Sequence, residues 1–264
     1  MLEARFAQAT VLKKIVESVR DLVTDVNIDC TASGLSLQSM DDAHVTLVIL
    51  QLRADGFESY RCDRTIPIGI NMSSLSKIIK CGNNEDSLTL KANDDGETLS
   101  IVFESPKGEK VSDYELKLMD LDIDHLTVPD ASYDVNVRMS ASEFQRICRD
   151  LQNISESVTI SAIKDCLKFS AEGEIANGSI LVRQNTAVDA DTKSSTQINM
   201  VQPASLGLSL KFLNMFTKAT SLSEHVILGM SDGVPMLVEY PIEDLGYLRF
   251  YLAPKVGDDD EMSK

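Results

Sequence analysis

The sequence predicts an α+β fold of two similar domains, each with two helices and a majority of antiparallel strands. Amphipathic helical patterns recur at half the chain length, and strand patterns of period two, separated by turn residues, fill the intervals. The 264 residues are 43% hydrophobic and 25% charged, enough for one large domain or two ordinary ones. This composition excludes collagen-like, low-complexity and wholly disordered chains.

The first helical pattern, LKKIVESVRDL at 12–22, repeats as FQRICRDLQNI at 144–154, which is 132 residues later. At this offset the apolar positions of the two segments coincide, beginning with Leu12 and Phe144. Because a helix with one apolar stripe has to bury it, we expect both helices to pack on sheets with their polar faces left exposed.

A second pair of helical patterns lies between the first pair and the chain end. The apolar positions of residues 70–80 coincide with those of residues 208–218, at an offset of 138. Each half of the chain therefore carries two predicted helices. The four helical windows are taken as residues 9–23, 72–81, 140–153 and 209–220.

The intervals between helices have the composition of strands. VTLVILQL, TLSIVF and VTISAI are examples of β-branched or apolar runs, and turn pairs such as Asn177-Gly178 and Asp232-Gly233 separate such runs. Turns this short join antiparallel strands.

One segment, residues 118–134, fits neither the helix nor the strand pattern and lies between the two copies. We therefore predict an interdomain connector there, with one domain at 1–117 and another at 135–256. The apolar residues of the connector either pack on a sheet or offer a surface to a partner, and both interpretations stay open. Residues 257–264 form an acidic tail that we expect to be disordered.

Charge is distributed unevenly along the chain. With 25 lysines and arginines against 41 acidic residues, the net charge is −16, which by itself argues against a nucleic-acid ligand. The helical windows nevertheless hold nine basic against four acidic residues. The nine are Lys13, Lys14, Arg20, Lys77, Lys80, Arg146, Arg149, Lys211 and Lys218.

A single solvent-facing helix commonly carries lysine and arginine, but four helices biased in one direction favour a polyanion held by its phosphates. Tryptophan is absent and aromatic residues make up only 5% of the chain, so nothing in the windows indicates base reading or base stacking. The predicted binding is independent of nucleic-acid sequence.

No pattern in the chain points to catalysis or to a cofactor. Phosphate-binding loops, nucleophile elbows and zinc-protease motifs are all missing, and the three histidines stand in separate segments. Asp41, Asp42 and His44 are more simply an acidic turn than a metal site. We expect a binding protein; a metal-dependent hydrolase that uses the aspartate-rich loops is the alternative class.

The cysteines and the apolar runs predict the compartment. Five widely spaced cysteines without a CxxC pair favour reduced thiols in the cytosol or nucleus. No apolar run approaches the ~18 to 20 residues of a membrane span, and the first residues do not form a signal-peptide pattern. We therefore expect neither export nor membrane insertion.

Several segments carry a resemblance to one family. KIIKCGNNEDSLTLKA, KVSDYELKLMDLD, RICRDL, FLNMFTKAT, YLAPK and LQSMDDAHV, together with the duplicated architecture, resemble the eukaryotic DNA sliding clamps of the proliferating cell nuclear antigen family. The resemblance covers essentially the whole chain and departs from the family near 189–195 and in the acidic tail. It implies a nuclear, head-to-tail homotrimeric ring around duplex DNA, with helices lining the hole and sheets outside.

The resemblance also implies site residues. Those that match the cations of the hole are Lys13, Lys14, Arg20, Lys77, Lys80, Lys110, Arg146, Arg149 and Lys218. Those that match the docking site for a partner peptide are Met40, His44, Val45, Leu47, Leu126, Val128, Tyr133, Val234, Pro235, Tyr251, Leu252, Ala253 and Pro254. The trimer contact matches Glu109, Lys110, Val111, Ser112, Asp113 and Tyr114 on one copy and Gly178, Ser179, Ile180, Leu181, Val182 and Arg183 on the next.

Partners and modifications follow from the same resemblance. The implied partners are DNA polymerase delta, the clamp loader replication factor C, flap endonuclease, DNA ligase and other proteins that carry a PIP-box peptide, with a glutamine and aromatic anchors. Lys164 matches the family's ubiquitin acceptor, whereas the connector lysine that some members sumoylate is here Thr127. A subunit of the related heterotrimeric checkpoint clamp remains the alternative.

Overall fold

The structure, a computed structural model, describes residues 1–93, 96–122, 132–185 and 195–255. The chain divides into a first unit, Met1–Thr127 with Pro241–Leu248, and a second unit, Val128–Tyr240 with Arg249–Lys264. Most of the predicted connector and all of the predicted acidic tail lie outside the described residues, so the expectations for these segments stay predictions.

The first copy of the repeat holds two α-helices and nine strands among its described residues. In chain order these are β1 (Leu2–Phe6), α1 (Ala9–Val19), β2 (Asp25–Thr31), β3 (Gly34–Met40), β4 (Thr46–Arg53), β5 (Ser59–Cys62), β6 (Ile66–Asn71), α2 (Met72–Ile79), β7 (Ser87–Ala92), β8 (Thr98–Glu104) and β9 (Val111–Lys117). One sheet has the order β5-β1-β7-β8-β9, and β4, β3, β2 and β6 are consecutive in another.

The second copy of the repeat, residues 135–252, follows the same plan, although its residues 241–248 belong to the first unit. Its elements are β10 (Val135–Ser140), α3 (Ala141–Gln152), β11 (Ser157–Ile163), β12 (Cys166–Glu172), β13 (Asn177–Arg183), β14 (Gln197–Met200), β15 (Ser205–Ser209), α4 (Leu210–Phe216), β16 (His225–Met230), β17 (Met236–Ile242) and β18 (Gly246–Leu252). One sheet has the order β13-β12-β11-β15, and β14, β10, β16, β17 and β18 are consecutive in another.

The two copies begin their first helices in the same way. In α1 the amide of Ala9 donates to the carbonyl oxygen of Asp86 at 2.7 Å, and in α3 the amide of Ala141 donates to that of Glu224 at 3.0 Å. Free amides at a helix start need acceptors, and here a loop before a later strand supplies one in each copy. The two donors, Ala9 and Ala141, are 132 residues apart, and the two acceptors, Asp86 and Glu224, are 138 residues apart. These are the two offsets of the sequence repeat.

The second helices follow the same rule. The amide of Met72 in α2 donates to the carbonyl oxygen of Thr24 at 2.8 Å, and the amide of Leu210 in α4 donates to that of Glu156 at 2.9 Å. These contacts attach each second helix to the loop that follows the first helix of its own copy. The duplication predicted from apolar spacing therefore extends to the backbone hydrogen bonds.

Apolar burial decides which face of each helix remains exposed. In α1 the side chains of Leu12, Ile15, Val16 and Val19 are buried, and α3 buries its side chains at matching positions. Strands such as β8 alternate buried and half-buried residues, as their period of two predicts. Every strand pairing described is antiparallel, which confirms that part of the predicted fold class.

All four α-helices are shorter than their predicted windows, and the largest differences are in α1 and α4. The α1 helix ends at Val19, where the window ran to residue 23, and the amide of its C-cap residue Arg20 donates to the carbonyl oxygen of Val16. The last window, 209–220, divides into α4 and a 3-10 helix at Thr217–Leu222. Within the described part of the chain, no helix has the length and apolar character to cross a bilayer.

Asn71 caps α2, so we expect its replacement to weaken the fold. Its side-chain oxygen accepts from the amide of Ser74 at 3.0 Å, and its Nδ2 donates to Asp25 at 2.7 Å. Asn71→Ala should lower the free energy of unfolding by about 1 kcal/mol in urea denaturation. Gln8→Ala is the matched control, because Gln8 occupies the N-cap of α1 without a side-chain cap bond. Equal losses for the two variants would contradict the cap.

Candidate nucleic-acid interface and protein-binding edges

The predicted cations of the first unit divide into partnered and solvent-facing groups. Lys13 donates from Nζ to the carbonyl oxygen of Gly82 at 2.7 Å and to Oδ1 of Asn84 at 3.0 Å. On α2, in contrast, the side chain of Lys77 is exposed, as is that of Lys80 at the end of the helix. Lys13 therefore fastens α1 to the loop after α2, whereas these two lysines face solvent.

Arg20 also joins the two helices of the first unit. Its Nη1 donates to Oγ of Ser76 on α2 at 3.2 Å, and its Nε lies 3.6 Å from a carboxylate oxygen of Asp21. The Arg20 side chain thus has a structural role between α1 and α2, beyond the polyanion contact that the sequence predicted. Part of its positive charge is balanced by the neighbouring carboxylate.

The second unit presents its cations on α3, on α4 and on the 3-10 helix that follows α4. Arg146 and Arg149 are exposed, and each lies near Asp150, with nitrogen-to-oxygen distances of 3.6 Å and 3.4 Å. Lys211 and Lys218 are exposed as well. Ion pairs this open to water are weak, so the arginines remain able to exchange Asp150 for a phosphate.

The sequence repeat separates the two roles of these cations. At an offset of 132 Lys13 corresponds to Gln145, whose Nε2 donates to the carbonyl oxygen of Thr217 at 3.0 Å. A neutral amide therefore makes the interhelical link in the second copy, so positive charge is not required for it. Lys14 corresponds to Arg146, so positive charge is kept at this position in both copies.

The second helices show a further repeated cation. Lys80 and Lys218 correspond at an offset of 138, and both side chains are exposed. Each unit therefore carries one cation at the repeated position of its first helix, half-buried at Lys14 and exposed at Arg146, and one exposed cation in the region that ends its second helix. These two repeated positions are the best candidates for phosphate contacts.

Lys110 lies apart from the helices. It precedes β9 in a turn that Ser105 closes, with the amide of Lys110 donating to Oγ of Ser105 at 3.0 Å. The structure thus groups Lys110 with the strand edge, together with Glu109, and not with the helical cations of its unit. Its assignment to both sites came from the resemblance alone.

Two strands predicted to form the trimer contact lie at the ends of their sheets. β9 ends the five-stranded sheet of the first unit and β13 ends the four-stranded sheet of the second. Both strands show the same alternation of exposure, and Val111 and Leu181 are 62% and 47% exposed. An edge strand carries unpaired backbone groups, and these two also carry exposed apolar side chains, which together suit pairing with another chain.

Sequence reasoning missed one apolar residue beside the β13 edge. Ile175 is 100% exposed in the turn between β12 and β13. Its signal in the sequence is an isoleucine placed among turn-forming residues, between Gly173 and Asn177. An exposed isoleucine in this position extends the apolar part of the edge.

The predicted peptide-docking residues of the first unit surround a tight turn. Met40 ends β3 and pairs with Leu47 of β4. Between them Asp41 accepts hydrogen bonds on Oδ1 from the amides of Val45 and Thr46, at 2.9 Å and 2.6 Å. His44 adopts a φ of 55°, a left-handed conformation that a tight turn demands. The Asp41 carboxylate therefore closes the turn.

The docking residues of the second unit include one that belongs to the core. Leu252, at the end of β18, is only 1% exposed, so its side chain packs in the core. Tyr251 beside it is half-buried. Val234 and Pro235 lie in the turn between β16 and β17, and Ala253 and Pro254 follow β18. Leu126 and Val128 lie outside the described residues.

The start of the connector is fixed to the first unit. The amide of Met119 donates to the carbonyl oxygen of Gly69 at 2.8 Å, and Nδ2 of Asn27 donates to that of Leu121 at 3.0 Å. A Cβ atom on Gly69 would lie 2.1 Å from the carbonyl oxygen of Met119, so this close approach requires glycine. The backbone of this part of the connector is therefore attached to the first unit, and both interpretations of its apolar side chains stay predictions.

Lys164 occupies the turn of the β11–β12 hairpin and is exposed. The next residue, Asp165, has a φ of 61°, in the left-handed region that occurs in tight turns. The lysine amine is thus presented at the tip of a hairpin, where an enzyme can reach it. This geometry is compatible with the modification that the resemblance implied.

Two thiols are excluded as nucleophiles by burial. Desolvation raises the pKa of Cys30 to about 12 and that of Cys148 to about 12, so both remain protonated at neutral pH. Among the described residues, no three His, Cys, Asp or Glu side chains group as metal ligands.

The divided roles of the cations predict different effects on stability. Lys13→Met removes a charged donor from two acceptors and should lower the free energy of unfolding by about 1 kcal/mol in urea denaturation. Lys80→Met, the control, removes an exposed ammonium of equal charge and should change it by less than about 0.5 kcal/mol. A Lys13→Met protein as stable as the parent would show that the link is dispensable.

Two family models match the chain and meet at the connector. Residues 1–126 match the model described as proliferating cell nuclear antigen, N-terminal domain, and residues 127–255 match the model described as proliferating cell nuclear antigen, C-terminal domain. Together the two matches extend over nearly the whole chain.

Proposed function

The chain belongs to the proliferating cell nuclear antigen family of DNA sliding clamps, and from this premise we propose that it closes as a homotrimer around duplex DNA. It would act there as a processivity factor for polymerase and as a docking scaffold, without catalysis of its own. One observation carries the proposal. Both copies of the repeat present a cation from each helical region, in a chain whose net charge is −16.

The placement of charge suits a ring that slides. Lysine and arginine contacts to phosphates are independent of sequence and are screened by salt, so a few of them centre the duplex without fixing its register. Once a ring encloses DNA, topology keeps it there and tight binding is unnecessary. The acidic remainder of the chain repels DNA from other surfaces.

Ring closure would use the two edge strands. Head-to-tail pairing of β9 on one copy with β13 on the next is a heterologous contact, which closes when the rotation between copies completes a circle. It would cover both edges and the exposed side chains of Val111 and Leu181. Since one chain carries both edges, a homotrimer is favoured over a subunit of the heterotrimeric checkpoint clamp.

Partner proteins would dock by a short peptide that carries a glutamine and aromatic anchors. We propose that polymerase delta, replication factor C, flap endonuclease and DNA ligase bind in this way, with Tyr251 and Pro235 among the contacts. Tethering raises the concentration of a polymerase at the primer end, so processivity arises from linkage. The same proposal places the protein in the nucleus and makes Lys164 a ubiquitin acceptor.

The trimer proposal predicts the solution mass. The pure chain should have three times the chain mass by native mass spectrometry. Val111→Lys with Leu181→Lys should yield monomers, because the edges would then carry buried, repelling charges. Ile163→Lys changes another exposed apolar residue, on β11, which is an interior strand of its sheet, and should remain trimeric. A monomeric parent chain would instead favour the checkpoint-clamp alternative.

The DNA proposal is tested by removal of the repeated cations. Replacing Lys14, Lys80, Arg146 and Lys218 by alanine should abolish stimulation of a polymerase while the trimer mass is kept. The logarithm of the DNA-binding constant falls linearly with the logarithm of the salt concentration. The magnitude of this slope should decrease by about one for each phosphate that a cation no longer neutralises.

A matched variant controls for the change in net charge. It replaces four cations outside the helices, Arg61, Arg64, Lys91 and Arg138, by alanine. This control should keep both stimulation and salt slope. If the two variants behaved alike, total charge and not the helical face would decide DNA binding.

A further inference from the structure

One face of the sheet β13-β12-β11-β15 is rich in hydroxyl groups. Buried residues alternate along these strands with exposed or half-buried ones, so one side of the sheet packs in the core and the other meets solvent. Gly207 lies on the solvent side, where a Cβ atom would have no other atom within 4 Å. We call this side the hydroxyl face, and its hydroxyl groups belong to Ser157, Thr159, Ser161, Ser170, Ser179, Ser205 and Ser209.

Two cations lie on the hydroxyl face without an opposite charge beside them. Lys168 of β12 pairs in register with Ser161, and the exposed Arg183 ends β13 opposite Cys166. Neither cation forms an ion pair with a residue that the structure describes. Among the described residues of the face, Glu172 is the single carboxylate, and it lies at the opposite end of β12 from Cys166. The face is therefore positive in a chain whose net charge is −16.

The five-stranded sheet of the first unit treats its cations differently. Nitrogen atoms of Arg5 lie 2.9 Å from a carboxylate oxygen of Glu58 and 3.1 Å from one of Glu104. Nζ of Lys91 lies 3.3 Å from a carboxylate oxygen of Glu3. Nearby carboxylates thus neutralise the cations of that sheet, whereas the cations of the hydroxyl face are left for an anion from elsewhere.

The end of the described chain lies against the hydroxyl face. The amide of Lys255 donates to the carbonyl oxygen of Gly207 at 2.8 Å, on β15, the strand that ends the sheet. Nζ of Lys255 donates to Oγ of Ser157, a residue of the hydroxyl face. The next residues are VGDDDEMSK, 256–264, in which four acidic residues are consecutive at 258–261. The predicted acidic tail therefore starts beside the two cations that lack a carboxylate.

The tail is long enough to reach both cations. An extended chain advances about 3.3 Å per residue, so Asp258 can lie about 10 Å and Glu261 about 20 Å from Lys255. Strand spacings of about 4.8 Å and rises of about 3.4 Å per residue, applied to the strand registers, place Lys168 about 12 Å and Arg183 about 20 Å from Gly207. The spacing of the carboxylates thus matches the spacing of the cations.

We propose that the acidic tail, residues 257–264, docks on the hydroxyl face of its own chain, with its carboxylates held by Lys168, Arg183 and the surrounding hydroxyl groups. Ionised carboxylates accept hydrogen bonds from ammonium, guanidinium and hydroxyl donors, and the charged bonds are the stronger ones. Attachment at Lys255 gives the tail a high effective concentration at the face, so weak contacts are enough. The docked tail covers the cations and keeps nucleic acid and acidic partner segments off this surface.

The docking does not depend on ring closure. Lys168 lies on β12, an interior strand of its sheet, and is not part of the edge proposed to pair with another copy. Pairing at β13 would use backbone groups in the plane of the sheet, which leaves the side chains of the hydroxyl face accessible. The inference therefore stands or falls separately from the proposed trimer.

Carbodiimide cross-linking of the full-length protein tests the contact. The reagent joins a carboxylate to a lysine amine only where the two touch, and peptide mapping by mass spectrometry locates the new amide bond. A cross-link between Lys168 and one of residues 258–261 should form at low salt. Its yield should fall by about tenfold at about 1 M salt, where the screening length is only about 3 Å.

Two results of the cross-linking would overturn the proposal. Tail cross-links distributed equally over exposed lysines such as Lys107 would show that the tail has no preferred surface. Mixing isotopically labelled with unlabelled chains separates bonds within a chain from bonds between chains. A Lys168 cross-link formed only between chains would make a second copy the occupant.

Charge reversal tests the role of the two cations. The chain has no tryptophan, so Met262→Trp places a single fluorophore in the tail. Its time-resolved anisotropy should show restricted local motion at low salt, and Lys168→Glu with Arg183→Glu should release it to the high-salt level. The control, Lys107→Glu with Arg138→Glu, changes the net charge equally at two other exposed cations and should leave the motion restricted. Equal behaviour of the two variants would contradict docking on this face.

A second reversal separates lost pairing from lost folding. Asp258→Lys, Asp259→Lys and Asp260→Lys, added to Lys168→Glu with Arg183→Glu, should restrict the fluorophore again, because opposite charges would face each other once more. A tail that stayed mobile in this variant would count against charge pairing as the cause of docking.

Nucleic acid is the competing occupant, and lysine acetylation distinguishes it from the tail. The reactivity of the Lys168 amine is measured relative to that of Lys107 in full-length protein. Asparagine at 258–260 with glutamine at 261 should raise it, since a neutral tail no longer covers the amine. Added duplex DNA should then protect Lys168 in this variant and leave the parent unchanged. Equal protection by DNA in both proteins would show that the face is open to nucleic acid and would overturn the proposal.

Discussion

Burial of one apolar stripe per helix is the constraint on which the rest of the structure depends. Leu12, Ile15 and Val16 go into the core of the first unit, and the matching residues of α3 do the same in the second. Removing such side chains from water is worth roughly 1.5 to 3 kcal/mol each, more than any exposed charge contributes. The apolar stripe therefore sets the rotation of each helix, and the charged residues take the face that remains.

Duplication turns this constraint into a functional arrangement. A stripe repeated at fixed offsets repeats the exposed face, and the cations Lys14 and Arg146 stand at the same place in the two copies. Lys13 and Gln145 show the complementary case, because a link between helices tolerates a change of charge as long as a donor remains. A position that keeps its charge in both copies is thus a candidate for binding, whereas a position that keeps only a hydrogen-bond donor has a structural role.

The sequence predicted the elements that local patterns determine. Helix number, antiparallel pairing and the repeat all follow from periodicity, which is a property of neighbouring residues. Contacts between distant segments were not predictable in this way. The Lys13 link to Gly82 and the inclusion of 241–248 in the first unit depend on tertiary packing. Leu252 was assigned to a surface by resemblance, whereas alternation along β18 puts its side chain in the core.

The two offsets of the repeat differ by six residues, and the strands show where the difference arises. Strands β11 and β12 follow the offset of 132, whereas β14 already follows the offset of 138. The extra residues therefore fall between β13 and β14, away from the loops that cap the helices. The sequence separation between each helix start and its capping loop is therefore six residues longer in the second copy, 83 against 77 for the first helices and 54 against 48 for the second, yet every one of these amides still meets its carbonyl group.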